Sequence, residues 1–513
     1  MDANIHHFEL SPDPLTTTGS TSNESVDFPV DSDSMNIDEY SPLDFEEFVL
    51  IWRDQNGFSK GLEESCSFQP YSSEGELTEK CSPSLSTISS AGAISISTMD
   101  ASLIQQPLTS PTGDMEIDNQ LSVHHLVKAY KEAMENKEAE LAEVIARRIS
   151  KKVGPTGEIE ERLLYYSFQP VDKETDYLMQ ESAKNFDRAL EAFYKIFPQG
   201  MISHFTANSV ILEAKPRDAE VLHIIDFDMG EGMQWSSMIM ALGRKQKELQ
   251  AQQYYGHIPH YTTLKITAIK WKDEGSGHHA PSWRKFEETK RRLHDCENPF
   301  GLILEVEGVE LQDWARKIKG KRKGGERREW LSFNCMWALS QMGRKRSRRH
   351  VVDFVRTAKE ILTSISVYSY TSNGGILTFG DGGAWELFKD CPGFGFFFDN
   401  CMEHYQALLE SIEWKPPSCF IEARIAMECL FVAPYASSRA WIQEWEEREQ
   451  CCDFKTGFGL EGLRLSNESL LEAKEMVREG EVPYAVRIEG DNYNEMVLEF
   501  RGTQLIKISA WKL

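Results

Sequence analysis

The chain has 513 residues, 27% of them charged, and a formal net charge of −25; its length favours one large α/β unit with an additional segment over several small domains. Residues 1–120 hold 3 Lys and Arg against 22 Asp and Glu, so the acidity belongs to the first quarter and not to the body. Ten scattered cysteines without a Cys-x-x-Cys pair argue against a zinc site, and no run of about 18 uncharged apolar residues offers a membrane span.

Residues 1–10 carry neither a basic nor an apolar signal region, and with the cysteines read as reduced thiols the expected compartment is the reducing cytoplasm or nucleus. Residues 1–120 are rich in Ser, Thr, Asp and Pro and show no sustained period, so this tail is expected to be disordered. One island, 40–52, mixes Phe45, Phe48, Val49, Ile51 and Trp52 with Asp44, Glu46 and Glu47. It reads either as an acidic activation or docking segment or as an accidental aromatic patch.

Order is expected from 122 onward. Val123, Val127, Tyr130 and Met134, then Leu141, Ile145 and Ile149, recur at helical spacing until Gly154-Pro155. Further helices are expected over 159–168 and 177–197; such stripes either pack within the chain or bind a partner. From 221 short apolar runs alternate with helical stretches. Strands are expected over 221–226, 264–269, 301–306, 330–335 and 375–379, with helices over 234–243, 282–294, 309–318 and 349–363. That alternation predicts a doubly wound parallel sheet. Helices over 396–412, 420–428 and 438–448 follow, then an antiparallel meander over 484–489, 496–501 and 504–511.

The run from Val221 to Trp235 has the form of a strand, a glycine-bearing turn and a helix, the geometry of a nucleotide or S-adenosylmethionine loop. Its residues fit that ligand poorly. Asp228 stands where backbone would have to approach a cofactor, and the second strand ends in Ile269-Lys270-Trp271, where an acid should hold the ribose hydroxyls. His223 lies inside the strand and reads as a hydrogen-bonded core histidine. Neither a Gly-x-Ser-x-Gly elbow nor a phosphate-binding loop is present, so no catalytic, cofactor or metal residues are assigned.

Between Arg316 and Arg349 the chain carries 13 Lys and Arg against Glu326 and Glu329. The clusters containing Lys321, Arg322, Lys323, Arg344, Lys345, Arg346, Arg348 and Arg349 flank the fourth expected strand. They read as a nuclear-import signal, as phosphate contacts, or as a solvated surface.

In its order of blocks the chain resembles the plant GRAS family of transcription regulators over 122–513. The blocks are Val221-Leu222-His223-Ile224-Ile225-Asp226, preceded by His204-Phe205-Thr206-Ala207-Asn208 and Ile211-Leu212-Glu213-Ala214, the pair Arg424-x-x-x-Glu428, and Ser509-Ala510-Trp511. Within the family, 203–214 and 225–235 resemble the nodulation signaling pathway 2 branch, with a related scarecrow-like branch as the alternative. Leu222 replaces a valine, and Leu498-Glu499-Phe500 stands where many members have Leu-x-Trp.

The resemblance implies a methyltransferase-like (Rossmann-like) doubly wound α/β core over 201–513 with a leucine-rich helical cap over 121–200 and no catalysis or cofactor. It implies nuclear action through hetero-oligomers with other GRAS proteins, of nodulation signaling pathway 1 and DELLA type, with the cap residues Leu126, Tyr130, Leu141, Ile145 and Ile149 in the interface. DNA would be met directly or through the partner, in symbiosis and strigolactone-related signalling. An S-adenosylmethionine-dependent methyltransferase on the same fold remains the competing expectation.

Overall fold

The computed structural model describes residues 122–169, 184–195, 197–251, 263–271, 286–297, 302–321, 329–336, 347–366, 375–381, 391–414, 423–447, 459–480 and 482–512. The acidic tail and its aromatic island lie outside the described residues.

The parallel half of the sheet is built from runs whose apolar side chains face both ways. In β1 (Val221–Asp226) every residue is buried, as expected of a strand covered on two faces. With β2 (Thr263–Ile269), β3 (Ile303–Val309), β4 (Glu329–Met336), β5 (Gly375–Asp381), β6 (Glu461–Gly462), β7 (Tyr484–Glu489), β8 (Glu495–Phe500) and β9 (Thr503–Lys512) it forms a mixed sheet ordered β3-β2-β1-β4-β5-β9-β8-β7, β6 pairing β9. The first five pair in parallel and β9, β8 and β7 antiparallel. The order reverses between β1 and β4, which makes the carboxyl ends of these strands the place where such a sheet ordinarily holds a ligand.

Alternation along β1 divides the core. Ile225 joins Phe333, Leu377 and Trp511 in one layer, with α8 (Leu311–Lys321) and α9 (Arg348–Ser366). Leu222 and Ile224 face the other layer, shared with α5 (Pro198–Ala214), α6 (Met233–Ala251) and α7 (Phe286–Glu297). A doubly wound sheet is therefore present, as the alternation predicted.

Above it lie α1 (Val123–Glu135), α2 (Ala139–Ser150), α3 (Ile159–Phe168) and α4 (Phe186–Lys195). Ser122 caps α1, its hydroxyl accepting from His125 N at 3.4 Å. α10 (Phe394–Glu413) returns after β5, followed by α11 (Arg424–Met427), a π-helical turn (Glu428–Val432), α12 (Ala433–Ala436), α13 (Ser438–Glu447) and α14 (Asn467–Met476). Tyr130 meets Phe168 at 4.9 Å and Trp441 at 5.9 Å between ring centroids, tying α1 to α3 and α13.

Several boundaries differ from expectation. β3 runs on to Val309, whose carbonyl accepts from Lys270 N at 2.9 Å, so the residue expected to open a helix closes a strand. The described end of the helix expected over 177–197 is α4, and the helix expected over 420–428 passes at Glu428 into the π-helical turn. α5 was not expected. It is buried on nearly every side, so it has no polar stripe for periodicity to detect.

Candidate functional site

The turn after β1 reaches the ligand position of the sheet, and the chain's own side chains fill it. Trp235, fully buried in the first turn of α6, donates its indole N–H to Asp226 Oδ2 at 2.6 Å. Asn334, from β4, donates to the other oxygen at 3.1 Å. Gln234 donates to Asn334 Oδ1 and to Asn208 Oδ1 of α5, each at 3.2 Å, and Thr378 of β5 donates to Asn334 at 2.9 Å. Burial pushes the Asp226 carboxyl up to about 7 against the lowering effect of these donors.

The glycine of the loop serves a helix. Gly232 has φ +72°, and a Cβ there would stand 2.9 Å from Thr289 Cγ2 and 3.2 Å from Leu293 Cδ2 of α7. Beside it Glu231 is ion-paired to Arg292 of the same helix, which also donates to the Glu231 carbonyl at 3.1 Å. At the end of β2, Lys270 lies over the Phe286 ring at 5.0 Å and Trp271 donates to the Phe227 carbonyl at 2.7 Å. A cofactor of the S-adenosylmethionine type needs an open glycine turn and an acid in these two places. The residues present do not fit it.

On the other face, His223 is fully buried, with Nε2 2.8 Å from Thr267 Oγ1 and Nδ1 2.6 Å from Glu329 Oε1. Burial lowers the imidazole pKa and the neighbouring Glu329 opposes it. Hydroxyl, imidazole and carboxylate in this order resemble a nucleophilic triad. Thr267, however, is fully buried and donates to Glu307 Oε1 at 3.0 Å, while Trp314 closes on the His223 ring edge-to-face at 6.0 Å. The group therefore reads as the core histidine expected from the sequence, a clamp joining β4, β1, β2 and β3.

The Arg424 and Glu428 pair is one part of a larger buried ion network. Glu428, fully buried, receives Arg424 at 3.0 Å, Arg162 of α3 at 3.2 Å and the Tyr166 hydroxyl at 2.7 Å. Glu413 receives Arg162 at 2.7 Å and Arg424 at 3.2 Å. Two cations and two anions with a shared phenol thus bind α3 to α10 and the π-helical turn. Sequence reading missed Arg162, Tyr166 and Glu413, because nothing along the chain links positions so far apart. Ser509 and Trp511 form another lock: Trp511 Nε1 donates to Ser509 Oγ at 2.8 Å, and that hydroxyl donates to the Phe379 carbonyl at 3.3 Å, seating β9 on β5 with Ala510 in the opposite layer.

Two expected surfaces are corrected. Of the cap residues, Leu126, Tyr130, Ile145 and Ile149 are buried in the chain's own core, and only Leu141 is exposed, at 48%, beside Val144 at 43%. Tyr130 is covered by Phe394 and Phe398 of α10 and Trp441 of α13, while α2, with Ile145 and Ile149, packs on α1 and α3. Among the basic residues, Arg348 is buried, its guanidinium reaching the Glu447 carbonyl at 3.5 Å, while Arg349 is exposed. Lys321 ends α8, and Arg322, Lys323, Arg344, Lys345 and Arg346 lie outside the described residues. Among the described residues no helix is long and apolar enough to cross a membrane.

A profile of the GRAS domain family matches residues 122–512. The chain is 27% identical to the nodulation signaling pathway 2 protein of Medicago truncatula over 63% of this chain and 58% of that protein. To the protein of the same name from Lotus japonicus it is 28% identical, over 76% of each. Among solved structures, SCL7 of Oryza sativa is 20% identical with a TM-score of 0.48, covering 77% of this chain and 100% of that one.

Proposed function

The chain belongs to the GRAS domain family, and from that premise we propose that it is a noncatalytic nuclear regulator of transcription working in hetero-oligomers with other GRAS proteins. The observation that carries the reading is the Trp235 to Asp226 hydrogen bond at the switch point: the position where this kind of sheet holds a cofactor is occupied by an indole and an amide network. Such a core offers surfaces and no reaction.

Its partners are GRAS proteins of nodulation signaling pathway 1 and DELLA type, met on the exposed side of α2 at Leu141 and Val144. Lys321, Arg322, Lys323, Arg344, Lys345, Arg346 and Arg349 supply the import signal or phosphate contacts, and the setting is symbiosis and strigolactone-related signalling. The division into a tail over 1–120, a cap over 121–200 and a core over 201–513 belongs to this reading.

The test is selection of DNA from a random-site library by the full chain across a salt series, with and without a DNA-binding GRAS partner. Selection that requires the partner is the expected result. Sequence-selected binding by the chain alone would make it a DNA-binding factor in its own right. In calorimetry S-adenosylmethionine should give no binding heat, and micromolar affinity would sink the noncatalytic reading.

A further inference from the structure

β3 ends the sheet on one side and pairs with β2 alone, in parallel and in unbroken register from Thr263↔Ile303 to Ile269↔Val309. Among the described residues no strand lies along its other edge. Its seven residues, roughly 23 Å of chain, therefore present a row of backbone N–H and C=O groups on that side. Burial alternates along the first half of the strand. Leu304 and Val306 are buried in the layer shared with α7, while Ile303, at 49%, and Glu305 are exposed on the opposite face. α8 reaches that face through Lys317, which pairs with Glu307 at 3.0 Å, and leaves Ile303 and Glu305 uncovered.

The charges on this face are unevenly matched. Lys265 of β2 stands opposite Glu305 in the register, but its ammonium goes to Glu307 at 3.4 Å. Glu307 thus holds two cations, and Glu305 holds none among the described residues. β3 also contains neither the proline nor the lysine that commonly blunts an edge strand. A second copy of the chain is a poor occupant. Pairing two β3 strands antiparallel about Val306, the register that uses the whole strand, sets Glu305 of each copy opposite Glu307 of the other, and like charges directly opposite are destabilising.

We infer that β3 is the docking edge for an extended segment of a partner protein, which adds to the sheet as a further strand and places an apolar side chain on Ile303 and, two residues away, a Lys or Arg on Glu305. Main-chain hydrogen bonds supply the affinity, and the alternate side chains on the Ile303 and Glu305 face supply the choice of partner. This edge is separate from the outer side of α2, and the inference does not rest on a GRAS partner being met there.

Hydrogen exchange on the full chain tests it, with the peptide Thr-Val-Thr-Lys-Thr-Thr-Thr as the probe. At millimolar peptide, alternate amides of β3 should exchange roughly tenfold more slowly, while those of β7, at the other end of the sheet, stay unchanged. Glu305→Lys, a substitution at an exposed position, should weaken this peptide roughly fivefold and favour the version with glutamate in place of its lysine. Ile303→Asp should weaken both peptides. No slowing in the parent chain, or equal slowing of the parent and Glu305→Lys by the lysine peptide, would overturn the inference. Protection of β3 without peptide that rises with chain concentration would overturn it too, since a second copy would then hold the edge.

Discussion

Trp235 and Asp226 lie nine residues apart, at the start of a helix and the end of a strand, and are joined by a 2.6 Å hydrogen bond with both side chains buried. The bond turns the ligand end of a doubly wound sheet into core. It also exchanges an open crevice for packing at this turn.

Truncating the indole should be costly. Trp235→Ala removes a fully buried side chain and is expected to lower stability by roughly 3–5 kcal/mol, while Trp235→Phe, which mainly removes the donor, should cost about 1–3 kcal/mol. Urea unfolding of the full chain measures both. A Trp235→Ala chain as stable as the parent would mean that the indole is no plug.

Asp226 predicts a pH dependence. Its carboxyl is pushed from the ordinary 3.8 to about 7 by burial, so the folded chain holds a proton that the unfolded chain gives up more readily. The stability associated with the protonated acid is complete below 3.8 and is lost as pH rises through about 7. Asp226→Asn removes this loss, so the variant should gain on the parent between about pH 4 and 7. Parallel unfolding midpoints would contradict the buried, neutral acid.

Gly232 should tolerate no side chain, because of α7. Gly232→Ala meets both φ +72° and Thr289 Cγ2 at 2.9 Å, and is expected to cost roughly 1–3 kcal/mol. Thr289→Ser, which deletes that methyl, should recover part of the loss. Absence of any recovery would remove the helix contact as the reason for the glycine.

Glu428→Gln should strip charge from a site that holds Arg162 and Arg424, leaving Glu413 to balance two guanidinium groups. A loss of about 3–5 kcal/mol is expected, because an uncompensated buried cation costs more than the pair contributed. The measurement is thermal unfolding of Glu428→Gln beside the doubly substituted Arg424→Met/Glu428→Gln, whose loss should be smaller.

The exposed and buried sides of α2 should separate. Leu141→Asp or Val144→Asp is expected to change stability by less than about 0.5 kcal/mol and to weaken capture of a GRAS partner, whereas Ile149→Asp should unfold the cap. Equal partner capture by Leu141→Asp and the parent would exclude this side of α2 as the interface.

Local pattern was enough for the architecture. The continuous apolar run of β1, the alternation of β4 and α9, and the meander of β7 to β9 are each legible within ten or twenty residues, because a strand covered on both faces and a half-covered helix leave different periods in the chain. α5 escaped detection because burial on all sides erases the period that identifies a helix. α14 and β6 also went unexpected, the latter being two residues long.

Along its own length the chain determined where most of the strands and helices form and that His223 belongs inside. Tertiary structure alone decided what the glycine turn serves, which side of α2 is exposed among the described residues, and that Arg162 and Arg348 are buried. The reason is that burial, ion pairing and close backbone approach depend on neighbours brought from elsewhere in the chain. Tyr130 is covered by Phe394 and Trp441, Arg162 is matched by Glu413 and Glu428, and no pattern around either residue encodes those partners.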